Sequence, residues 1–188
     1  MRNWRRAAAL LLALCMTVLL AACGEDPNDE EKLSVVMTGT VRTMDPAQAV
    51  TPAERTVVKH VFENLMRPSA EGAVHAVARS YTEETALDGT VTYTFQLRTD
   101  AKWSDGSAVT AGDFAFAWQR AASTELAADY GYMFEVVDGY ADVWATDDAG
   151  NYVNPAAELN VVALDDKTLQ VTLSNAVAYW NELLAFPA

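Results

Sequence analysis

Among the 26 acidic residues, Asp105 and Asp113 are the pair considered for catalysis, and the two histidines are considered for metal binding. Asp105 and Asp113 could form an acid and base pair, because glycosidases need two carboxylates at a fixed separation. Asp105 lies in a Ser-Asp-Gly-Ser turn, and Asp113 belongs to a capping box that starts at Thr110. These structural roles account for both aspartates without a catalytic role. His60 is predicted on the polar side of a helix and His75 in a separate loop. We therefore expect no catalytic residue, no metal site and no cofactor.

The common nucleotide-binding and hydrolase motifs are absent from the sequence, including Gly-x-x-x-x-Gly-Lys, Gly-x-Gly-x-x-Gly, Gly-x-Ser-x-Gly and His-Glu-x-x-His. Trp103, Trp118, Trp144 and Trp180 could stack on sugar rings, but tryptophans at such spacings are more often core residues. We therefore expect that the protein is not an enzyme, and an extracellular hydrolase stays an alternative without a catalytic constellation.

Cys23 is the remaining side chain with distinctive chemistry, and it follows a segment typical of a secretory signal. Residues 1–22 contain three arginines, then an apolar run up to Leu20, then small residues. The run is shorter than the roughly 20 residues that a transmembrane helix needs. The sequence LAAC, ending at Cys23, resembles the lipobox of bacterial lipoproteins, in which the cysteine becomes the first residue and carries lipid. The alternative is a plain signal whose cleavage leaves a cysteine.

Composition limits the remaining chain to one domain of ordinary size without disulfides. Removal of residues 1–22 leaves 166 of the 188 residues and a single cysteine, Cys23. The net charge is −13 for the whole chain and −16 without the three arginines of the signal, so nucleic acid is not expected as a partner. Residues 23–32 are acidic and almost free of apolar side chains, which predicts a flexible spacer.

The elements predicted in the first half of the chain are two strands and one helix. A short apolar run at 33–37 is typical of a buried strand. A helix is predicted from Pro52, which suits a first turn, to a point near Pro68. Residues 91–97 alternate apolar and polar side chains after an Asp-Gly turn, which predicts a strand with one buried face.

The second half predicts further helices and a β-hairpin. The helix that begins at Thr110 places four side chains on one face, namely Phe114, Ala117, Trp118 and Ala121. Residues 123–157 suggest helical pieces separated by a loop, and 159–164 and 168–173 suggest a hairpin. Ser174 or Asn175 would cap a last helix. Helices between antiparallel strand groups predict a mixed α/β fold of the α+β class.

The run from Tyr93 to Arg120, YTFQLRTDAKWSDGSAVTAGDFAFAWQR, resembles the extracytoplasmic solute-binding proteins of peptide ABC transporters, the oligopeptide-binding family. Further matching stretches are TMDPA at 43–47, VFENL at 61–65, LNVVALDDKTLQVTL at 159–173 and YWNELLAFPA at 179–188. The resemblance covers essentially all of the chain after the spacer.

The resemblance implies a two-lobed fold, like that of periplasmic binding proteins, that closes around its ligand by hinge motion. Family members are several times longer than this chain. Residues 33–188 are therefore expected to be an incomplete N-terminal part of the solute-binding domain, comprising the first strand of one lobe and the smaller accessory domain.

The resemblance also implies candidate ligand contacts. Val50, Thr51 and Pro52 align with a segment whose backbone touches the peptide in the family, so that only a main-chain contact is expected here. Tyr130 matches a family tyrosine at the ligand pocket. The alternatives are an ordinary loop at 50–52 and a packing aromatic at Tyr130.

The function implied by the resemblance is uptake of oligopeptides by an ABC importer, with this protein as the binding component. We expect a monomer held at the extracytoplasmic face of the cell membrane by lipid on Cys23, with a peptide ligand and permease subunits as partners. The same scaffold could instead bind a dipeptide, a nickel chelate, haem or an oligosaccharide. A standalone lipoprotein that acts as an interaction module is the alternative from another class.

Overall fold

The computed structural model describes residues 34–186 of the chain. Contacts divide the chain into one unit up to Met37 and a second unit that begins at Thr38 and contains every element named below. These elements are α1 (Pro52–Val61), β1 (Met66–Ser69), β2 (Gly72–His75), β3 (Ala78–Thr85), β4 (Val91–Leu97), α2 (Ala111–Ala122), α3 (Tyr140–Val143), β5 (Val161–Asp165), β6 (Thr168–Leu173) and α4 (Trp180–Leu184). Short 3-10 helices lie at Pro46–Gln48 and Gly131–Phe134.

The main sheet has four antiparallel strands in the order β3, β4, β6, β5. Val91, Tyr93, Phe95 and Leu97 of β4 are buried, whereas the residues between them are partly exposed. This is the pattern expected where alternate side chains point to opposite faces of a sheet. The predicted strand and the mixed helix and sheet class are both confirmed.

The predicted hairpin near the end of the chain is also confirmed, as β5 and β6 pair antiparallel with Val161 opposite Val171. Asp165 closes the turn, because its Oδ1 accepts a hydrogen bond from the Lys167 N–H at 2.7 Å. The helical pieces expected within 123–157 are the second 3-10 helix and α3. The loop between them and β5 contains a single bridge between Thr146 and Tyr152.

Helix α2 packs on β5 and β6 and supplies part of the core. Its predicted capping box is present, with reciprocal hydrogen bonds between Thr110 and Asp113. Trp118 packs edge to face on the buried Trp180 with ring centroids 6.1 Å apart. Ala117 is exposed rather than buried, because it borders an open groove that α1 and α2 both line.

Helix α1 ends at Val61, seven residues before the predicted end near Pro68. Phe62 has extended backbone angles, and Met66–Ser69 pairs as β1 with β2. Leu65 follows the apolar spacing of the helix but is buried outside it. Strand pairing therefore overrides helical periodicity here, and Pro68 is accommodated in a short two-stranded sheet.

Strand β3 was not predicted, because its sequence, ARSYTEET, is mostly polar. Most of its side chains are exposed in the structure. Backbone pairing with β4 holds it in the sheet. A strand was predicted at 33–37, but the described part of it, residues 34–37, takes no part in either sheet of the described residues. An apolar, β-branched run becomes a strand only where another strand pairs with its backbone.

The last helix, α4, begins at Trp180 with Tyr179 as N-cap and has no side-chain cap. The predicted caps at Ser174 and Asn175 are therefore wrong. A turn at 178–179 leads into the helix, and the Trp180 N–H donates to the Val177 carbonyl at 3.2 Å.

Candidate functional site

The loop at Val50, Thr51 and Pro52 leads directly into α1, and Thr51 caps that helix. The Thr51 hydroxyl accepts a hydrogen bond from the Glu54 N–H at 3.2 Å, and Glu54 Oε2 accepts one from the Thr51 N–H at 2.9 Å. Glu54 Oε2 also accepts from the Val50 N–H at 3.2 Å. Since Pro52 has no N–H, the main-chain donors of this loop are all occupied or missing.

The carbonyl groups of the same loop are not equivalent. The Thr51 carbonyl accepts from the Arg55 N–H at 3.0 Å, and the Pro52 carbonyl accepts from the Thr56 hydroxyl at 2.7 Å. Within residues 34–186, the Val50 carbonyl accepts no hydrogen bond. It is therefore the main-chain group of this loop that an N–H of an extended ligand could use.

Glu54 is the buried residue that fixes this loop, and its side chain is 0% exposed. In addition to the two loop amides, its Oε1 accepts from the Arg42 N–H at 3.2 Å and from Arg42 Nε at 3.4 Å. Hydrogen bonds, first of all from the Thr51 N–H, lower the pKa of Glu54 to about 2 although burial opposes this shift. A charged carboxylate therefore ties Arg42, Val50 and Thr51 together.

Sequence reasoning missed Glu54, although a signal for it was present. Thr51-Pro52-Ala53-Glu54 has the Thr-x-x-Glu spacing of a capping box, and both of its reciprocal hydrogen bonds form. Its further bonds to Arg42 and Val50 could not be read from that spacing.

Tyr130 lies at the start of the second 3-10 helix and contacts α1 through Arg55. The Tyr130 hydroxyl accepts a hydrogen bond from Arg55 Nη1 at 2.9 Å, and the guanidinium carbon lies 5.5 Å from the centre of the Tyr130 ring. The Phe186 ring packs against the Tyr130 ring, with a distance of 5.3 Å between the ring centroids. Tyr130 is therefore linked, through the Arg55 side chain, to the first turn of the helix that follows the loop at 50–52.

A bidentate ion pair fixes the chain that leads into this loop. Arg120 of α2 donates from Nη1 to Asp45 Oδ1 at 2.9 Å and from Nη2 to Asp45 Oδ2 at 2.6 Å. The Arg120 hydrogen bond is the largest cause that lowers the pKa of Asp45. Asp45 also caps the first 3-10 helix by accepting from the Ala47 N–H. The segment before Val50 is thus held to α2.

An apolar groove of about 530 Å³ is lined by parts of α1, α2 and the segment between β4 and α2. Phe62, Trp103 and Phe116 on its walls are 39%, 41% and 69% exposed. None of the four predicted ligand contacts lines it. Sequence reasoning missed this groove because its walls come from segments far apart in the chain.

The remaining candidate residues have structural roles. Asp105 accepts from the Ser107 N–H and hydroxyl, which lowers its pKa, and Asp113 caps α2, as predicted. His60 is exposed on α1, as predicted, whereas His75 ends strand β2 rather than lying in a loop. Among residues 34–186, no three side chains of His, Cys, Asp or Glu are grouped so that they could hold a metal ion.

The four tryptophans differ in their packing. Trp180 is buried, Trp118 packs against it, and Trp144 donates from Nε1 to the Ala122 carbonyl at 2.9 Å. Trp103 is not a core residue, because it lies at the groove with its Nε1 donating to Asp113. The core prediction therefore holds for Trp180 and for Trp118, which packs against the core, and fails for Trp103 and for the partly exposed Trp144.

Cys23 and the predicted signal and spacer lie outside the described residues. Of the helices that the structure describes, none has the length and apolarity required to cross a bilayer.

Comparison with known proteins identifies the family. Residues 73–188 match the family described as bacterial extracellular solute-binding proteins, family 5 Middle. The chain is 33% identical over 187 residues to the periplasmic oligopeptide-binding protein OppA of Escherichia coli, covering 96% of this chain and 33% of that protein. It is 34% identical over 154 residues to a probable deoxycholate-binding periplasmic protein of the same organism, covering 77% and 26%.

The fold also matches solved structures. Listeria monocytogenes OppA bound to peptide is 35% identical with a TM-score of 0.68, over 80% of this chain and 28% of that one. The chain spans about a third of the length of the curated relatives it matches. Over that length, sequence and fold agree, and the chain belongs to family 5 of the bacterial extracellular solute-binding proteins.

Proposed function

We propose that this chain forms part of the extracytoplasmic substrate-binding component of an ABC importer, which binds oligopeptides for uptake. The observation that carries the proposal is the loop at 50–52, in which Glu54 occupies both amide donors and the Val50 carbonyl is left as an acceptor. An extended peptide is bound through main-chain hydrogen bonds, and a fixed carbonyl accepts one of them without reference to side chains.

Tyr130 is the second proposed contact. Its ring is held by Phe186, and its hydroxyl is positioned by Arg55, one turn of α1 away from Pro52. An amphipathic ring of this kind offers a ligand both an apolar face and a hydrogen-bonding group. The proposal of oligopeptide binding is further supported by similarity, over 96% of this chain, to a protein named as oligopeptide-binding.

Binding to peptide is tested by calorimetry on the native protein purified from its host, titrated with a mixed library of short peptides. We expect saturable binding without hydrolysis, since the proposed role is binding and not catalysis. Failure of every peptide to bind, together with binding of another solute, would refute the peptide assignment.

Lipid anchoring through Cys23 is proposed from the LAAC sequence and the acidic spacer that follows it. Stable attachment requires more than one acyl chain, because a single chain gives marginal membrane binding. Mass spectrometry of the native protein should find lipid on Cys23, and a Cys23→Ala variant should leave the membrane fraction. Recovery of unmodified Cys23 from membranes would contradict this. Permease subunits as partners and a monomeric receptor belong to the same proposal.

A second candidate is an apolar solute that carries a carboxylate. The relative named as probable deoxycholate-binding and the apolar groove of about 530 Å³ favour it, since such a groove has the size of a small-ligand pocket. Deoxycholate added to the calorimetric experiment separates the two candidates. Competition between deoxycholate and peptides would mean one shared site.

A further inference from the structure

Arg55 differs from the ion-paired arginines of this chain. Arg42, Arg98 and Arg120 each have a carboxylate partner within 4.0 Å. Within residues 34–186, Arg55 has no such partner, and its one hydrogen-bonded side chain is the neutral Tyr130. Arg67 and Arg79 also have no carboxylate partner among these residues, so what distinguishes Arg55 is its hydrogen bond to Tyr130.

The Arg55 guanidinium retains donors for a ligand. A guanidinium has five N–H donors in a planar fork, and Tyr130 uses one of them. Because the Tyr130 hydroxyl oxygen accepts from Arg55, its own proton is directed elsewhere and can be donated. Two adjacent donor groups of this kind match the two oxygens of a carboxylate.

The pair is held in place before any ligand arrives. The Tyr130 ring contacts Phe186 and Tyr132, with ring centroids 5.3 Å and 6.4 Å away. The Phe186 carbonyl accepts a hydrogen bond from Asn64 Nδ2 at 2.7 Å, which fixes the backbone of Phe186. Arg55 itself belongs to the first turn of α1, beside the buried Glu54. Little ordering cost is then left for binding.

We propose that Arg55, oriented by Tyr130, binds a carboxylate of the ligand, either an acidic side chain or the C-terminal carboxylate of a peptide. The inference rests on the proposed function, in which the loop at 50–52 and Tyr130 face the ligand. Arg55 then sets specificity: it supplies a local positive charge on a surface whose net charge repels anions at long range.

The test compares matched peptides by calorimetry on the native protein. One set carries Glu or the isosteric Gln at each position in turn, and a second set ends in a free carboxylate or an amide. The unaltered protein should bind at least one carboxylate form about 10- to 100-fold more tightly than its neutral match, as for a hydrogen-bonded charge pair. The set that shows the preference identifies the source of the carboxylate.

Variants then assign the preference to Arg55. Arg55→Gln should remove the preference for the carboxylate form, whereas Arg55→Lys should retain part of it. Arg67→Gln is the matched control, because Arg67 is exposed on β1 and its loss changes the net charge equally. It should change each affinity by less than about twofold, as expected for a distant surface charge.

Three outcomes separate the possibilities. Equal affinity of the unaltered protein for all matched pairs refutes the role of Arg55 while leaving peptide binding intact, and this comparison needs no variant to fold. Equal weakening of carboxylate and neutral peptides in Arg55→Gln also refutes it, because that result indicates a structural role. Absence of binding for every peptide refutes the proposed function itself and the carboxylate site with it.

Discussion

Gly139 should be the least replaceable glycine of the segment that carries Tyr130. It has φ +90°, and a Cβ built on it would lie 2.3 Å from the Glu158 carbonyl oxygen. Its neighbour Asp138 bonds to the sheet, donating to the Thr172 carbonyl at 2.9 Å and accepting from the Asn160 N–H at 2.7 Å. The backbone therefore cannot move away from Glu158 without loss of these bonds.

The magnitude follows from two contributions. An alanine in the left-handed region costs about 1–2 kcal/mol, and overpacking against a fixed backbone adds about 1–3 kcal/mol. Gly139→Ala should therefore lower the free energy of unfolding by about 2–5 kcal/mol. Gly89→Ala is the control, because Gly89 has φ +92° but no atom within 4 Å of its Cβ position, so that only the conformational cost applies.

Urea unfolding of the whole chain, followed by tryptophan fluorescence, measures both variants. With a denaturant slope of about 2 kcal/mol per M, the Gly139→Ala midpoint should lie about 0.5–1.5 M below that of Gly89→Ala. Equal midpoints for the two variants would refute the reasoning, since the contact with Glu158 would then contribute nothing.

The depressed pKa of Glu54 contributes stability that is present above pH about 4.5 and lost as the pH falls through about 2, so the urea midpoint should fall over that interval. Glu54→Gln should flatten this pH dependence, and an unchanged profile would contradict the assignment. Leu169→Ala, at a fully buried position, should cost about 2–5 kcal/mol of unfolding free energy. Leu164→Ala, at a position 53% exposed, is its control and should stay within about 0.5 kcal/mol; similar losses would place Leu169 outside the core. Thr110→Ala should cost about 0.5–2 kcal/mol through loss of the α2 cap, whereas Thr110→Ser keeps the hydroxyl and should stay close to wild type. Equal stability of the two Thr110 variants would show that the hydroxyl does not act as a cap.

The elements that sequence predicted correctly are those whose signals are local. The alternation in 91–97, the capping box at Thr110 and the turn at Asp165 each depend on residues a few positions apart. Their hydrogen bonds and burial follow from the period of the strand and from the chemistry of the cap, so the tertiary structure had little to alter.

The candidate site could be predicted only in part. The resemblance in sequence indicated the loop at 50–52 and Tyr130, but it did not indicate which main-chain atom of the loop is left to accept a hydrogen bond. That depends on Glu54, whose carboxylate occupies the amides of Val50 and Thr51. The Thr-x-x-Glu spacing was sufficient to predict half of this arrangement.

By itself, the sequence determined the family, the mixed helix and sheet class and the local caps and turns. The tertiary structure decided where α1 ends, that polar β3 joins the sheet, and that Arg55 meets Tyr130 although they are 75 residues apart. Asp45 and Arg120 are separated by the same distance along the chain. Such contacts have no sequence period, because they form only when the packing of the core brings distant segments together.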